Sequence, residues 1–359
     1  MSVLPICINA HLESKKIVFF GIGLHSGSTI KNIYAQIAYF CDNAPTVQGT
    51  MFWGKPVHHP DILLSEDRDT TIIIINSQYY GEIAKQLFDM GFKDIYSNAY
   101  KNGCERIPKN EFDSHNFLIR KAEAISHYDT AFVKSLFEDD ASKNTFDALI
   151  ENYKCGNFDF SAIRNNTPVY FNDIFRDDLR LDEVYVDAGT YDGKSLVDFM
   201  FYVKGKYKKI YAFEPDIANY LLITREFSNF RDVIVENAAV GGADGEAILD
   251  MRGTYGSKLV HKKSENDCFV DVKTITLDSY TNEPITFIKM DIEGVECEAL
   301  NGAVETLKEH RPKLAISLYH NDDDLTKIPL LIHEIVPEYK FYLRHHSPLY
   351  GDTVLYAKV

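Results

Sequence analysis

Val184-Tyr185-Val186-Asp187-Ala188-Gly189-Thr190-Tyr191-Asp192-Gly193 carries a β-branched and aromatic run into an acid, then a glycine and, four residues on, a second glycine. A glycine turn of this kind, at the carboxyl edge of a parallel strand, is a place where ligands bind. Glycine allows the approach because no Cβ stands between backbone and ligand. The run Lys209-Ile210-Tyr211-Ala212-Phe213 ends in Glu214-Pro215. An acid about 20 residues beyond such a turn is positioned to accept hydrogen bonds from ribose hydroxyls. A third run, Ile285 to Met290, ends in Asp291, with Glu293, Gly294 and Glu296 close behind. Leu314 to Tyr319 leads into His320.

These chemistry-bearing residues need strands and helices to place them. Ser195, Leu196, Val197, Phe199 and Met200 give the first apolar face of a helix after the first turn. Ile217, Tyr220, Leu221, Thr224 and Phe227 fit a helix after Glu214, and Val233-Ile234-Val235 is the next strand, leading to Asn237-Ala238-Ala239. Ala247 to Met251 and Phe269 to Val272 read as a hairpin-like pair around the polar stretch 253–267. A helix over Ala299, Leu300, Val304 and Leu307 stops at Arg311-Pro312. A helix over 328–336 and a closing antiparallel pair, 340–344 with 353–357, complete the chain.

The N-terminal part repeats the logic on a smaller scale. Lys15 to Phe20 is a strand that runs into Gly21-Ile22-Gly23. Ile30, Ile33, Tyr34, Ile37 and Ala38 recur at helical spacing, and Ala38 to Cys41 ends in Asp42. Gly27 falls one place late for G-x-G-x-x-G. Gly21, Gly23 and Asp42 would then mark a nucleotide or nucleotide-sugar pocket, or a turn kept for packing. Val57 to Leu64, with Pro60 inside it and Pro56 just before, reads as loop and turn, Thr70 to Ile75 as a buried parallel strand, and Tyr80 to Met90 as an amphipathic helix stopped by Gly91. Between the two α/β parts, Val133, Leu136, Phe137, Phe146, Leu149, Ile150 and Tyr153 suggest helices, with Glu138-Asp139-Asp140 as a solvated helix end or loop and a helix start near Asn144. The expected division is a small Rossmann-like α/β domain at 1–99, a helical connector at 100–168 and a larger α/β domain at 169–359.

With 359 residues, 45% hydrophobic and 25% charged, the chain can bury two or three cores. Its net charge of -15 argues against nucleic acid and anionic membrane surfaces as partners. No apolar run approaches the ~18 residues of a spanning helix, and Met1 to Leu12 lacks the features of a secretory signal. Six scattered cysteines without a Cys-x-x-Cys pair fit reduced thiols and a cytoplasmic setting rather than a zinc ribbon or disulfide frame.

Taken together, 186–193, Ala212-Phe213-Glu214-Pro215, Thr276-Leu277-Asp278, Ile288 to Glu296 with Leu300-Asn301-Gly302-Ala303, and Arg311 to Ile316 resemble the FkbM family of S-adenosylmethionine-dependent methyltransferases. Many members carry an acid where this chain has Ser317. The resemblance covers roughly Val184 to the C-terminus and implies a class I, Rossmann-like methyltransferase fold: a seven-stranded doubly wound sheet with an antiparallel final hairpin. It implies S-adenosyl-L-methionine as cofactor. Asp187, Ala188, Gly189, Thr190, Tyr191, Asp192, Gly193 and Ser195 would line the methionine part. Glu214 and Pro215 would meet the ribose, Asn237 and Ala238 the adenine, and Asp291 would border both cofactor and acceptor.

Methyl transfer to a hydroxyl requires alignment and a base within reach of the leaving proton. Asp291, His320, Lys289 and Glu293 are the candidates. Lys289 shares a strand face with Asp291 by period two, and a neutral imidazole at His320 would suit proton removal. For Lys289 the alternative is a structural ion pair, for Glu293 an acid favoured by a helix N-terminus, and for His320 a core or capping role. A divalent ion at Asp291 and its neighbours is left open. The leading expectation is O-methylation of a sugar, glycan precursor or related metabolite by an enzyme able to form homo-oligomers. The competitors are an NAD(P)-linked oxidoreductase using Gly21 to Asp42, and a non-catalytic scaffold with a methyltransferase fold.

Overall fold

Thr71–Ile75 is buried at every position, because a parallel strand is covered on both faces and a continuous β-branched run suits that environment. In the computed structural model, which describes residues 15–22, 34–77, 80–97, 105–107, 114–157, 159–250, 258–260, 269–280 and 283–359, this strand is β5 of the first of two compact units, which divide between Asn116 and Phe117. The unit's strands are β1 (Lys16–Phe20), β2 (Ile37–Cys41), β3 (Met51–Phe52), β4 (Lys55–His58), β5, β6 (Ile95–Ser97) and β7 (Glu105–Arg106), in the order β3-β4-β2-β1-β5-β6-β7. Alternation sorts the side chains into two cores. Val18, Phe20, Ile73 and Ile75 meet Ile83, Ala84 and Leu87 of the helix Tyr80–Asp89 on one face. Ile17, Phe19, Ile72 and Ile74 pack with Phe40 and Val57 on the other.

Two expectations change here. Lys55–His58 is a strand and Pro60–Ser65 a 3-10 helix, where Pro56 and Pro60 suggest only a loop. The helix expected to reach Ala38 gives way to a 3-10 turn at Tyr34–Gln36 and a strand from Ile37; its earlier residues, with Gly23 and Gly27, lie outside the described residues.

The second unit holds β8 (Val184–Ala188), β9 (Lys209–Phe213), β10 (Val233–Glu236), β11 (Ala239–Val240), β12 (Gly245–Asp250), β13 (Lys258–Val260), β14 (Phe269–Ile275), β15 (Phe287–Met290), β16 (Lys313–Ser317), β17 (Lys340–His345) and β18 (Thr353–Lys358). Its main sheet runs β10-β9-β8-β15-β16-β18-β17. The first five strands are parallel, and β18 is antiparallel to both β16 and β17. This is the seven-stranded sheet with a closing hairpin that the sequence implies. The strand order reverses between β8 and β15, which opens the binding crevice at their carboxyl ends. A four-stranded sheet, β11-β14-β12-β13, contains the expected antiparallel pairing of 245–250 with 269–274.

Helices cover both faces of the main sheet. Leu196, Phe199, Ile223 and Phe227 pack with Tyr185, Ala212 and Phe287 on one side. On the other, Val186, Ile288, Met290 and Ile316 meet Ala299, Leu300, Leu307, Ile328 and Ile332. Leu118, Val133, Phe146, Leu149 and Tyr153, from the stretch read as a connector, join that same core. The acids read as solvated have work in that stretch: Asp139 caps the helix Asp140–Cys155 and pairs with Arg344 of β17. The C-terminal helix spans Asp324–Ile335, a turn earlier than the apolar pattern suggests. No helix among the described residues is long and apolar enough to cross a membrane.

Candidate active site

The glycine turn after β8 is packed against the end of β15. Asp291 N–H donates to Ala188 O at 3.1 Å. A Cβ on Gly189, whose φ is +80°, would stand 1.9 Å from Asp291 O. The position therefore demands glycine for both space and backbone conformation. Gly193, at φ +82°, begins the helix Lys194–Tyr202, and Thr190 lies buried, its N–H on Phe213 O at 3.2 Å.

Asp187 is fully buried. Lys289 Nζ reaches its Oδ1 at 2.9 Å, and Ser195 Oγ donates to its Oδ2. The same ammonium donates to Gly189 O at 2.6 Å and lies 3.3 Å from Ala188 O. An ammonium has three donors, so Lys289 is engaged in holding the turn. Asp192 is exposed and accepts from Lys194 N–H at 3.0 Å.

Glu214 ends β9 and is buried. Its Oε2 accepts from Tyr191 N–H at 2.8 Å and its Oε1 from Asp216 N–H at 2.9 Å. Burial pushes its pKa up to about 7, against the pull of those two N–H groups. Each oxygen retains acceptor capacity. Asn237 Nδ2 donates to the carbonyls of Glu214 and Pro215, both at 3.0 Å, and Ala238 is buried beside it. The structure thus gathers Asp187 to Gly193, Ser195, Glu214, Pro215, Asn237 and Ala238 along the carboxyl ends of β8 to β10.

At the crevice, Asp291 accepts from Tyr170 OH at 2.8 Å through Oδ2 and from Tyr319 OH at 3.0 Å through Oδ1. Burial alone would raise its pKa, but the charges of His320 and Lys289 and the Tyr170 hydrogen bond outweigh it and hold the carboxyl below its usual range. His320 Nδ1 is 2.7 Å from Glu296 Oε1, and its Nε2 is 3.4 Å from Asp291 Oδ1 and 3.8 Å from Glu293 Oε2. Burial would lower the imidazole's pKa; Glu296, Asp291 and Glu293 reverse that and raise it to about 10. The neutral ring expected from sequence is therefore replaced by an imidazolium at neutral pH, and a proton acceptor there has to be sought at Asp291. Glu293 sits at φ +60° in the turn before the helix Glu296–Asn301, so its position is set by the turn and not by the helix.

Tyr170, Tyr319 and Glu296 carry no role in the sequence reading. Glu296 and Tyr319 were within reach, since they flank residues already singled out. Tyr170 meets Asp291 across 121 residues with no motif around it. The buried Ser317 places its Oγ 3.4 Å from Tyr170 OH.

Strand order, the glycine turn after β8 and the acid at the end of β9 define a class I methyltransferase fold. Residues 187–343, within the second unit, match the methyltransferase FkbM domain. A crystal structure of the FkbM methyltransferase from Methylobacillus flagellatus shares the fold, with a TM-score of 0.57 and 22% identity over 99% of this chain and 94% of that one. Weaker similarity extends to an rRNA methylase from Streptococcus thermophilus, with a TM-score of 0.33 and 17% identity over 52% of this chain and 92% of that one. A Streptococcus mutans protein described as a candidate methyltransferase, solved with S-adenosylhomocysteine, gives a TM-score of 0.32 and 16% identity over 52% of this chain and 96% of that one. No curated protein matches the chain. The second unit is thus an S-adenosylmethionine-dependent methyltransferase domain, and its residues fit that cofactor: a buried carboxylate with acceptor capacity at Glu214, held beside the turn from Gly189 to Gly193 by Tyr191 N–H.

Proposed function

We propose that this protein transfers a methyl group to a hydroxyl of a sugar, glycan precursor or related small metabolite. The observation that carries this reading is Asp291: a carboxylate kept ionised by its surroundings, at the strand end that touches the cofactor turn. S-adenosyl-L-methionine would supply an electrophilic methyl group on a positively charged sulfur. Asp187, through Ser195 and Lys289, fixes the turn from Gly189 to Gly193 that receives the methionine part. Glu214 would accept from the ribose hydroxyls, and Asn237 and Ala238 would border the base. The acceptor hydroxyl donates to Asp291, whose other partners, Tyr170 and Tyr319, aim the carboxylate. Proximity and alignment account for most of the acceleration, and Asp291 takes the proton as the oxygen is alkylated. Lys289 and Glu293 act on position and charge. The sugar-like acceptor rests on the chain's resemblance to the FkbM family, and a cytoplasmic setting on the cysteine pattern.

For the first unit a nucleotide or nucleotide-sugar pocket and a glycine turn kept for packing both stand as readings of Gly21 and Asp42. Gly21, at φ +95°, would place a Cβ 2.5 Å from Asn76 O, and Asp42 Oδ2 accepts from Ile22 N–H at 3.1 Å at the carboxyl ends of β1 and β2.

Calorimetric titration with S-adenosylhomocysteine, with NADH and NADPH in parallel, tests the assignment. Binding of S-adenosylhomocysteine that is lost in Glu214→Ala supports it. Binding of a nicotinamide nucleotide alone would transfer the chemistry to the first unit.

A further inference from the structure

His320 and Glu296 each bury a polar atom without a hydrogen-bond partner: Nε2 of the ring and Oε2 of the carboxylate. The His320 side chain is 7% exposed and that of Glu296 is 0%. A buried polar atom left unpaired is costly, and Nε2, facing Asp291 and Glu293 on a ring whose other nitrogen Glu296 holds, points to something that binds there. One potential ligand atom each from Asp291, Glu296 and His320 lie within 4.8 Å of one another.

We propose that Asp291, Glu296 and His320 form a divalent-cation site, with the ion held by His320 Nε2 and Asp291 Oδ1 and the ring fixed by Glu296. The Nε2 to Oδ1 separation of 3.4 Å is long for a hydrogen bond. It is the spacing of two donors on one ion, each ~2.1 Å away, at a near-tetrahedral angle. Glu296 Oε1, on Nδ1 at 2.7 Å, completes a carboxylate–histidine arrangement; the ion takes the place of the proton that the surrounding acids otherwise keep on Nε2, which then becomes the coordinating nitrogen. Tyr319 and Tyr170 orient Asp291 in the same manner. Charge points the same way. Asp291, Glu293 and Glu296 converge on one imidazole, while the nearby Lys289 is committed to Asp187 and the turn carbonyls. The donor set of one imidazole and carboxylate oxygens suits manganese- or zinc-like ions. On the hydroxyl-transfer reading, an ion here would bind the acceptor oxygen and ease its deprotonation; the site itself rests only on the side-chain placement.

Mn2+ and then Zn2+, each alone, are titrated into the full chain, with bound ion counted by electron paramagnetic resonance or calorimetry and the fold checked by thermal melting. One ion per chain is expected for at least one metal. His320→Ala and Asp291→Asn should abolish binding, and Glu296→Gln, a near-isosteric change that guards against misfolding, should weaken it by about 10- to 100-fold. Absence of saturable binding of either metal at millimolar concentration overturns the site, as does binding that survives His320→Ala in a folded variant. S-adenosylhomocysteine binding, measured on the same samples, separates this outcome from failure of the methyltransferase reading.

Discussion

Lys289 and Asp187 stand directly opposite one another on the adjacent parallel strands β15 and β8, Nζ 2.9 Å from Oδ1, with side chains 3% and 0% exposed. A pair this deep is expensive to break from one side, because the remaining charge is stranded away from water. Lys289→Met should therefore destabilise the second unit by ~3–5 kcal/mol and weaken cofactor binding with it. Lys289→Met combined with Asp187→Asn should recover much of the stability, since no lone charge remains. Urea unfolding of the three chains reads the coupling. A double variant no more stable than Lys289→Met would refute the account.

Gly189 makes a sharper test of how the turn is built. Its φ of +80° and the Asp291 carbonyl 1.9 Å from a would-be Cβ leave alanine nowhere to go. Gly189→Ala should abolish S-adenosylhomocysteine binding in calorimetry. Gly193→Ala should cost less, since the atom it meets, at 2.9 Å, is the edge of the Phe227 side chain. Equal losses at the two positions would show that strain, not the close approach to Asp291, dominates.

How much of this arrangement the sequence discloses depends on distance along the chain. Strand β8, its acid and its glycines are local: a period-two apolar run meets a turn within ten residues, and Glu214 follows at the spacing that a β-α-β unit imposes. Lys289 could be placed on the face of Asp291, but its partner across the sheet could not, because register between β15 and β8 is a tertiary fact. His320 shows the limit most plainly. Its residue type suggests a base, but folding brings Glu296, Asp291 and Glu293 around it and reverses its charge state. Pro56 misleads in the other direction. A residue without an N–H argues against a strand, yet β4 pairs with β2 through Val57 and His58 and leaves Pro56 out of that ladder.

Cofactor affinity should follow the ionisation of Glu214. Burial raises its pKa to about 7, and the ribose hydroxyls require acceptors. Binding then favours the carboxylate, and protons compete with the ligand. The apparent Kd for S-adenosylhomocysteine should be nearly constant above pH 8 and rise by about tenfold per unit as pH falls well below the Glu214 value. Glu214→Gln should bind more weakly at pH 8 and lose this slope. An unchanged slope in the variant would assign the titration to another group.

Asp139 and Arg344 tie the helix Asp140–Cys155 to β17 by two hydrogen bonds, at 3.2 and 2.6 Å. Burial pulls the Asp139 pKa upward, but Arg344 and the Ser142 groups more than offset it, so the folded carboxyl titrates below its ordinary value. The sign follows directly. A depressed carboxylate contributes stability that is present above its unfolded pKa and is lost as pH falls through the folded one. Asp139→Asn retains a good helix cap and removes the charge together with one of the two acceptors for Arg344. It should destabilise the second unit at pH 7 by about 1–3 kcal/mol, with the difference from wild type shrinking as pH drops below the ordinary aspartate value of ~3.9. Asp139→Ala should cost a further ~1 kcal/mol at both extremes, because the cap onto Ser142 N–H disappears as well. Thermal or urea unfolding from pH 7 down to acid separates the two contributions. A pH-independent gap between Asp139→Asn and wild type would mean that the ion pair with Arg344 adds nothing, and that this helix is held by its apolar face alone.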